Sequence, residues 1–208
     1  TLGVIARHVE DLAMMTGLLA GPDPRDAHAT TLPVPDYMAA LKKPVKGLKL
    51  GIDARLIGEA HPEVQDMVDR VATVLAGAGL AKTACSFPDW QTVHDLTSVM
   101  QLPDAASAHT PYLIARPDDY GPQVRARLEV GHYVSGVDHM TGLRARGIML
   151  QKCLAETFSK VDVAILPIFA DPLPTIAELD VAGGPGLQAA IARVIKYTRP
   201  VNYFGLPT

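Results

Sequence analysis

The stretch between residues 48 and 87 constrains the fold of this chain most, because its pattern predicts strand, helix and strand in succession. Leu48, Leu50 and Ile52 alternate with polar or small residues, which is typical of a β-strand. Pro62 then suits the first turn of a helix whose apolar face comprises Val64, Met67, Val68, Val71, Leu75 and Ala78. Glycines end that helix, and an extended segment, residues 81–87, follows. The pattern predicts a β-α-β unit and an α/β fold.

The rest of the chain predicts more helices and one further strand. We expect a helix from about His8 to Ala20, then a proline-rich surface connector. Two helices are expected over residues 92–101 and 105–115. A long helical stretch is expected over residues 123–160, with candidate points of division at Gly131, Gly136, Gly142 and Gly147. The apolar run 161–168 favours a strand buried on both faces. A loop through Gly183-Gly184-Pro185-Gly186 then precedes a short helix, residues 187–195.

Composition and charge exclude several classes of function. The net charge is −3, and the cluster formed by Lys42, Lys43, Lys46 and Lys49 has no aromatic platform beside it, so we expect no nucleic-acid partner. No apolar run approaches the roughly 20 residues that span a bilayer, so we expect no membrane partner. The two cysteines, Cys85 and Cys153, favour a reducing compartment, and a cytoplasmic location is predicted. The chain is nevertheless 48% hydrophobic, which indicates surface that other sequence normally covers.

The serines of this chain do not form a recognisable nucleophile site. None of Ser86, Ser98, Ser107, Ser135 and Ser159 lies in a glycine-rich turn or a G-x-S-x-G elbow. Ser107 and His109 are near each other in sequence, but two positions apart on a helix they point to nearly opposite sides. The residues alone therefore give no candidate for a catalytic serine in this chain.

Three neighbouring side chains, His132, Asp138 and His139, have the right chemistry for a metal site but the wrong spacing. On one continuous helix the two histidines would stand about 10 Å apart along the axis, too far to share one zinc ion. The glycine run near residue 184 lacks the spacing of a phosphate loop or a dinucleotide fingerprint. Neither a metal nor an organic cofactor is expected.

Eight segments, taken in order, resemble motifs of the amidase signature family. The first is TLGVIARHVED, which is similar to the family's segment just after its catalytic stretch, and the fifth, DYGPQVRARL, is similar to DYGPxVRxRL. The full set covers residues 1–11, 21–26, 46–51, 62–64, 119–128, 161–167, 172–176 and 198–207. Each motif is modest alone, but eight in the right order are hard to produce by chance.

The resemblance implies a fold, an activity and a place in a longer protein. The fold would be a mixed β-sheet with helices on both sides, a three-layer α/β/α arrangement. The parent would hydrolyse a carboxamide to a carboxylic acid and ammonia through a serine acyl-enzyme, using a Ser/cis-Ser/Lys triad and no cofactor. That triad lies upstream of Thr1 in the family, so residues 1–208 would contain no catalytic residue. They would be the C-terminal portion of a single amidase domain, inactive alone. A small-molecule amide is the implied partner, and a homodimer is compatible with the family.

The same resemblance implies three substrate-pocket candidates, Arg146, Tyr120 and Asn202. In the amidotransferase branch the arginine at the position of Arg146 faces the substrate carboxylate, although a structural ion pair or a solvent-facing helix position also explains an arginine there. Tyr120 could reach the pocket rim or simply pack, and Asn202 with Thr198 could fix nearby loop geometry. The sequence departs from the family motif at His139 and Gly142, where the family has Tyr and Ala.

Two other functions stay open at the level of sequence. One is the glutaminase-type subunit of a tRNA-dependent amidotransferase, its A subunit, which passes ammonia to a second protein. The other is a non-catalytic interaction module.

Overall fold

The computed structural model describes residues 3–26, 29–179 and 186–207, with side chains at 29–178 and 191–207 in the last two ranges. The chain divides into two compact units, Thr1–Val45 and Lys46–Thr208. The expected loop segment Gly183-Gly184-Pro185 lies outside the described residues. None of the helices in the described ranges combines the length and the apolar character needed to cross a bilayer.

The smaller unit contains two helices, α1 (Val9–Leu19) and α2 (Tyr37–Ala40). The first confirms the helix expected near residues 8–20. The second lies within the predicted proline-rich connector. The Asp36 carboxylate accepts a hydrogen bond from the Ala39 N–H at 2.8 Å and thereby caps this short helix.

The larger unit is built on a parallel sheet of three strands in the order β2-β1-β3. Its elements are, in chain order, β1 (Lys49–Ile52), α3 (Ala54–Gly58), α4 (Pro62–Gly77), β2 (Ala81–Ala84), α5 (Trp90–Ala115), α6 (Pro122–Val130), α7 (Gly136–Cys153), β3 (Val163–Ile165), α8 (Ile176–Leu179), α9 (Gly186–Ile195) and α10 (Thr198–Phe204). The predicted β-α-β unit, β1-α4-β2, is confirmed, and so is the α/β class. All three described strands are parallel.

The strand expected over residues 161–168 is shorter and less buried than predicted. It runs only from Val163 to Ile165 and lies at an edge of the described sheet, where Val163 is 41% exposed. A Pro at position 167 cannot donate a ladder hydrogen bond, which limits the strand at its end. The prediction of burial on both faces is therefore wrong for the described part of the chain.

Helix α5, predicted as two pieces, is a single helix of 26 residues that includes Pro103 and Pro111. A proline has no N–H, so Pro103 cannot donate the helical hydrogen bond that the Val99 carbonyl would ordinarily accept. That carbonyl instead accepts a bond from His139 Nδ1 on α7, at 3.2 Å. A donor from a neighbouring helix thus replaces the missing one, which helps α5 continue through the proline.

The long helical stretch is divided at two of the four predicted glycines, Gly131 and Gly136. Helix α6 ends at Val130, a single 3₁₀ turn spans Gly131–Tyr133, and α7 begins at Gly136 behind the Ser135 cap. Gly142 and Gly147 lie within α7, which continues into a π-helical turn at Leu154–Phe158. Thr157, which is buried in that turn, donates a hydrogen bond from its hydroxyl to the Ser86 carbonyl at 2.7 Å and so joins the turn to the segment after β2.

The core of the larger unit lies where α3, α5 and α10 meet the ends of the strands. Its largest members are aromatic and pack against one another. The ring centroids of Phe87 and Trp90 are 5.2 Å apart, and those of Trp90 and Phe204 are 6.5 Å apart. Asp53 is also buried, and its carboxylate accepts bonds from the N–H groups of Arg55, Leu56 and Phe87. This carboxylate ties the end of β1 to α3 and to the segment after β2.

Candidate functional site

The serine and histidine side chains considered from the sequence take partners other than one another. Ser107 Oγ donates to the Asp104 carbonyl at 2.8 Å, and His109 Nδ1 pairs with the Tyr120 hydroxyl at 3.0 Å. Ser159 donates to the carbonyl of Ala155, and Ser135 caps α7 through the Asp138 N–H. Each of these contacts is local or structural in kind.

The three side chains weighed as metal ligands are also separated. His132 Nε2 faces the Thr110 hydroxyl at 3.4 Å, Asp138 accepts from Ser135, and His139 bonds to the Val99 carbonyl. The chain between the two histidines is not one continuous helix, because the 3₁₀ turn at Gly131–Tyr133 and the start of α7 intervene. Across the part of the chain that the structure describes, no group of three or more His, Cys, Asp or Glu residues could hold a metal ion.

Arg146 lies on α7 and is joined to the C-terminal end of α10. Its Nε donates to the Tyr203 carbonyl at 2.7 Å. Such a position at the end of a helix suits a cation, because the last carbonyls carry partial negative charge. The residue is nevertheless exposed, so its remaining N–H groups are accessible to a ligand.

The helices α7 and α10 are held together by a second bond, from Tyr203. Its hydroxyl donates to the Gly142 carbonyl at 2.6 Å, and the residue is fully buried. Gly142 also lies against α5, where an added Cβ would come within 3.0 Å of the Leu96 carbonyl and of Val99. The two departures from the family motif, His139 and Gly142, therefore both serve the contact between α7 and α5.

Asn202 and Thr198 lie in helix α10. Asn202 is an exposed residue, and it is its backbone carbonyl that accepts a bond, from the Gly205 N–H at 3.1 Å. Thr198 Oγ1 is 3.5 Å from the Ile195 carbonyl, which is a weak contact. The expectation that these side chains fix the geometry of a nearby loop stays a prediction.

Tyr120 follows a 3₁₀ turn at Pro117–Asp119 and is half-buried against α5. Its ring meets the His109 ring edge-on with centroids 5.7 Å apart, in addition to the hydrogen bond between the two side chains. The structure thus places Arg146 and Asn202 on the paired helices α7 and α10, and Tyr120 beside the C-terminal end of α5.

A cleft of about 440 Å³ lies beyond the end of β3; the motif at residues 172–176 lines part of it but did not suggest a site there. It is lined by His61, Phe169, Asp171, Pro172, Leu173, Pro174, Glu178, Arg193 and Val194. Arg193 Nε donates to Asp171 at 2.9 Å, and this bond lowers the pKa of Asp171 and raises the pKa of Arg193. Clefts at the carboxyl ends of parallel strands are common ligand sites, but here the two charges already satisfy each other.

Comparison with known proteins gives a consistent result. The family model described as Amidase matches residues 1–208. An amidase of Pseudomonas putida is 31% identical over 99% of this chain and 44% of that protein. The A subunit of the glutamyl-tRNA(Gln) amidotransferase of Akkermansia muciniphila is 28% identical over 99% of this chain and 48% of that protein.

Solved structures agree with the fold. The structure of 6-aminohexanoate cyclic dimer hydrolase is similar over 96% of this chain and 45% of its own, with a TM-score of 0.77 at 22% identity. The A subunit of the glutamyl-tRNA(Gln) amidotransferase of Thermotoga maritima has a TM-score of 0.74 at 21% identity, over 99% and 44% of the two chains. The chain spans less than half the length of these relatives. It belongs to the amidase family, as its ordered motifs predicted.

Proposed function

We propose that the protein containing this chain is an amidase that hydrolyses the C–N bond of a small carboxamide. The serine hydroxyl attacks the amide carbon, the C–N bond breaks and ammonia leaves; water then hydrolyses the acyl ester and restores the serine. The observation that carries the proposal is the family match over all of residues 1–208. The similarity to the amidase of Pseudomonas putida supports the same chemistry.

Within that protein, we assign this chain the C-terminal portion of one amidase domain. The catalytic Ser/cis-Ser/Lys set would lie in the part that precedes Thr1, and the chain would contribute helices and one wall of the pocket. The coverage of relatives, 44% and 48% of their lengths, supports this division. The two free cysteines, Cys85 and Cys153, support a cytoplasmic location.

The test is an assay of the full-length protein for ammonia release from a panel of aliphatic and aromatic carboxamides. An acyl-enzyme predicts that added hydroxylamine yields the hydroxamate at the expense of the acid. The 208-residue chain is the control and should release no ammonia. If that chain alone releases ammonia, the assignment of catalysis to the preceding part is overturned. If the full-length protein releases no ammonia from any amide or from glutamine, a non-catalytic interaction module is favoured.

We propose Arg146, Tyr120 and Asn202 as contacts to the substrate, with Arg146 as the carboxylate contact. Its exposure supports this role, because only its Nε is used for the Tyr203 carbonyl. The informative variant is Arg146→Lys, since lysine keeps the charge and can still donate to that carbonyl but cannot bind a carboxylate with two parallel bonds. We expect KM for amides with a carboxylate to rise about tenfold, with kcat and KM for neutral amides little changed.

The A subunit of an amidotransferase is the second candidate, because several relatives have that name. This function predicts glutaminase activity that rises when a second protein of the complex binds. The structure gives His139 and Gly142 a packing role on α5, so these two departures from the motif do not themselves argue against it. Glutamine as the preferred substrate in the amide panel would select this candidate over a simple amidase.

A further inference from the structure

A second cavity, of about 290 Å³, lies within the larger unit among helices α5, α6, α9 and α10. It is lined by His94, Ser98, Leu102, Arg127, Val130, Ile191, Ala192, Ile195 and Arg199. One part of the wall is apolar and is formed by leucine, valine and isoleucine side chains. The other part has two arginines, one from α6 and one from α10.

Arg199 is held in a defined position on this wall. Its Nη1 donates to Ser98 Oγ at 2.7 Å, and the same hydroxyl donates to the His94 carbonyl at 3.0 Å. The hydroxyl therefore fixes one guanidinium nitrogen, and among the described side chains the other N–H groups of Arg199 have no acceptor. Burial lowers the pKa of the Arg199 guanidinium, and the positive charge of Arg127 lowers it further.

The two arginines have no acidic partner among the described residues. Several other arginines have one: Arg125, for example, pairs with Glu129 at 2.8 Å, and Arg193 pairs with Asp171 at 2.9 Å. Neither Arg127 nor Arg199 makes an ion pair within ranges 3–26, 29–179 and 186–207. Asp95, the neighbour of the lining residue His94, instead faces that histidine at 3.4 Å and is 67% exposed.

Two half-buried like charges on one cavity repel each other, and a bound anion would relieve that repulsion. Guanidinium groups are suited to this task, because their planar N–H pairs match the oxygens of carboxylates and phosphates. The apolar wall leaves room for a short hydrocarbon stem behind the charged group.

We propose that this cavity is a binding site for a small ligand with an oxyanion, a carboxylate or a phosphate, held between Arg127 and Arg199. The site goes beyond the amide-hydrolysing function, because its definition uses no residue of that reaction. The carboxylate and phosphate forms share the same contacts, so the experiment has to separate them.

The test is calorimetric titration of the full-length protein with succinate and, separately, with inorganic phosphate, at constant ionic strength. We expect saturable binding of at least one of them. Arg127→Gln and Arg199→Gln should each raise Kd about tenfold or more, as expected for loss of a charge-assisted bond. Arg70→Gln is the matched control, since this exposed arginine on α4 loses the same charge away from the cavity, and its Kd should match that of the unmodified protein.

Each outcome decides the proposal. Binding of succinate alone identifies a carboxylate ligand, binding of phosphate alone identifies a phosphate ligand, and binding of both supports the shared oxyanion chemistry. The absence of saturable binding overturns the site, and so does an Arg127→Gln variant with unchanged Kd. If Arg199→Gln no longer melts cooperatively because the bond to Ser98 is lost, the Kd of the Arg127→Gln variant alone tests the site. Ammonia release is not part of the readout, so failure of the proposed amidase function would leave this result intact.

Discussion

At the scale of single residues, the glycine that ends α10 is the position where backbone geometry and a side-chain contact coincide. Gly205 has φ of 70°, in the left-handed region, and an added Cβ would lie 2.8 Å from Arg146 Nη2. A side chain there meets both a backbone cost and a displaced guanidinium. Both effects favour glycine at the end of this helix.

We predict that Gly205→Ala lowers the free energy of unfolding by about 1–2 kcal/mol, measured by chemical denaturation. Gly147→Ala is the matched control, because Gly147 lies inside α7 with open space around its Cβ position. That change should raise stability by about 0.5–1 kcal/mol, since alanine favours a helix over glycine. Equal effects of the two substitutions would contradict the role assigned to Gly205.

Tyr197 gives a prediction about alkaline pH. Its hydroxyl donates to the Leu56 carbonyl at 2.7 Å, and burial, with smaller effects of Glu59 and Asp171, raises its pKa from 10.0 to about 12. Below pH 10 the phenol is protonated in both states, so its full contribution to stability is present. As the pH rises from about 10 to about 12, the unfolded chain loses the proton first, and the free energy of unfolding falls. Chemical denaturation at several pH values should show that the free energy of unfolding falls less steeply with pH in Tyr197→Phe than in the unmodified protein. An unchanged slope in that variant would contradict the assignment of this pH dependence to Tyr197.

At the scale of elements, the contact between α5 and α7 depends on a repair of the hydrogen-bond ladder in α5. Pro103 removes one backbone donor, and His139 supplies another to the Val99 carbonyl from outside the helix. That carbonyl accepts but cannot donate, so the His139 ring must carry its proton on Nδ1. Gly142, one turn later on α7, allows the two helices to approach at Leu96 and Val99.

This interpretation predicts that His139 and Pro103 are energetically coupled. His139→Phe should lower stability by about 1–2 kcal/mol, because the Val99 carbonyl loses its donor. In a Pro103→Ala background the helix regains its own N–H, and the cost of His139→Phe should fall by about 1 kcal/mol. A double-mutant cycle measures this difference. His132→Phe is the control, since its partner is the Thr110 hydroxyl, and its effect should be independent of Pro103.

The same elements indicate what the sequence can and cannot predict. Local signals identified α1, β1, α4 and α9, because caps, alternation and an apolar face are properties of neighbouring residues. The two prolines in α5 carry a local signal for a break, whereas a donor that helps the helix continue lies 40 residues away along the chain. A long-range contact of this kind has no local sequence signature.

At the scale of the whole molecule, motif order identified the family, but the contacts of the candidate residues had to come from the structure. The motif identified Arg146 as a candidate. Its hydrogen bond to the Tyr203 carbonyl joins residues 57 positions apart in the sequence and had to come from the structure. Arg127 and Arg199 lie in motifs that suggested no role for either, because the cavity that they share forms only when four helices come together. The missing information is tertiary in each case.

The surface of the chain gives the last prediction. Several large apolar residues are mostly exposed, including Leu18 at 73%, Val137 at 77%, Ile148 at 70% and Ile176 at 88%. If the rest of an amidase domain covers this surface, the isolated 208-residue chain should bind the dye ANS and melt over a broad temperature range. The full-length protein should melt cooperatively with little dye binding, and Val137→Ser with Ile148→Ser in the isolated chain should reduce the dye signal. A sharp cooperative melt of the isolated chain with low ANS binding would show that this apolar surface needs no covering sequence.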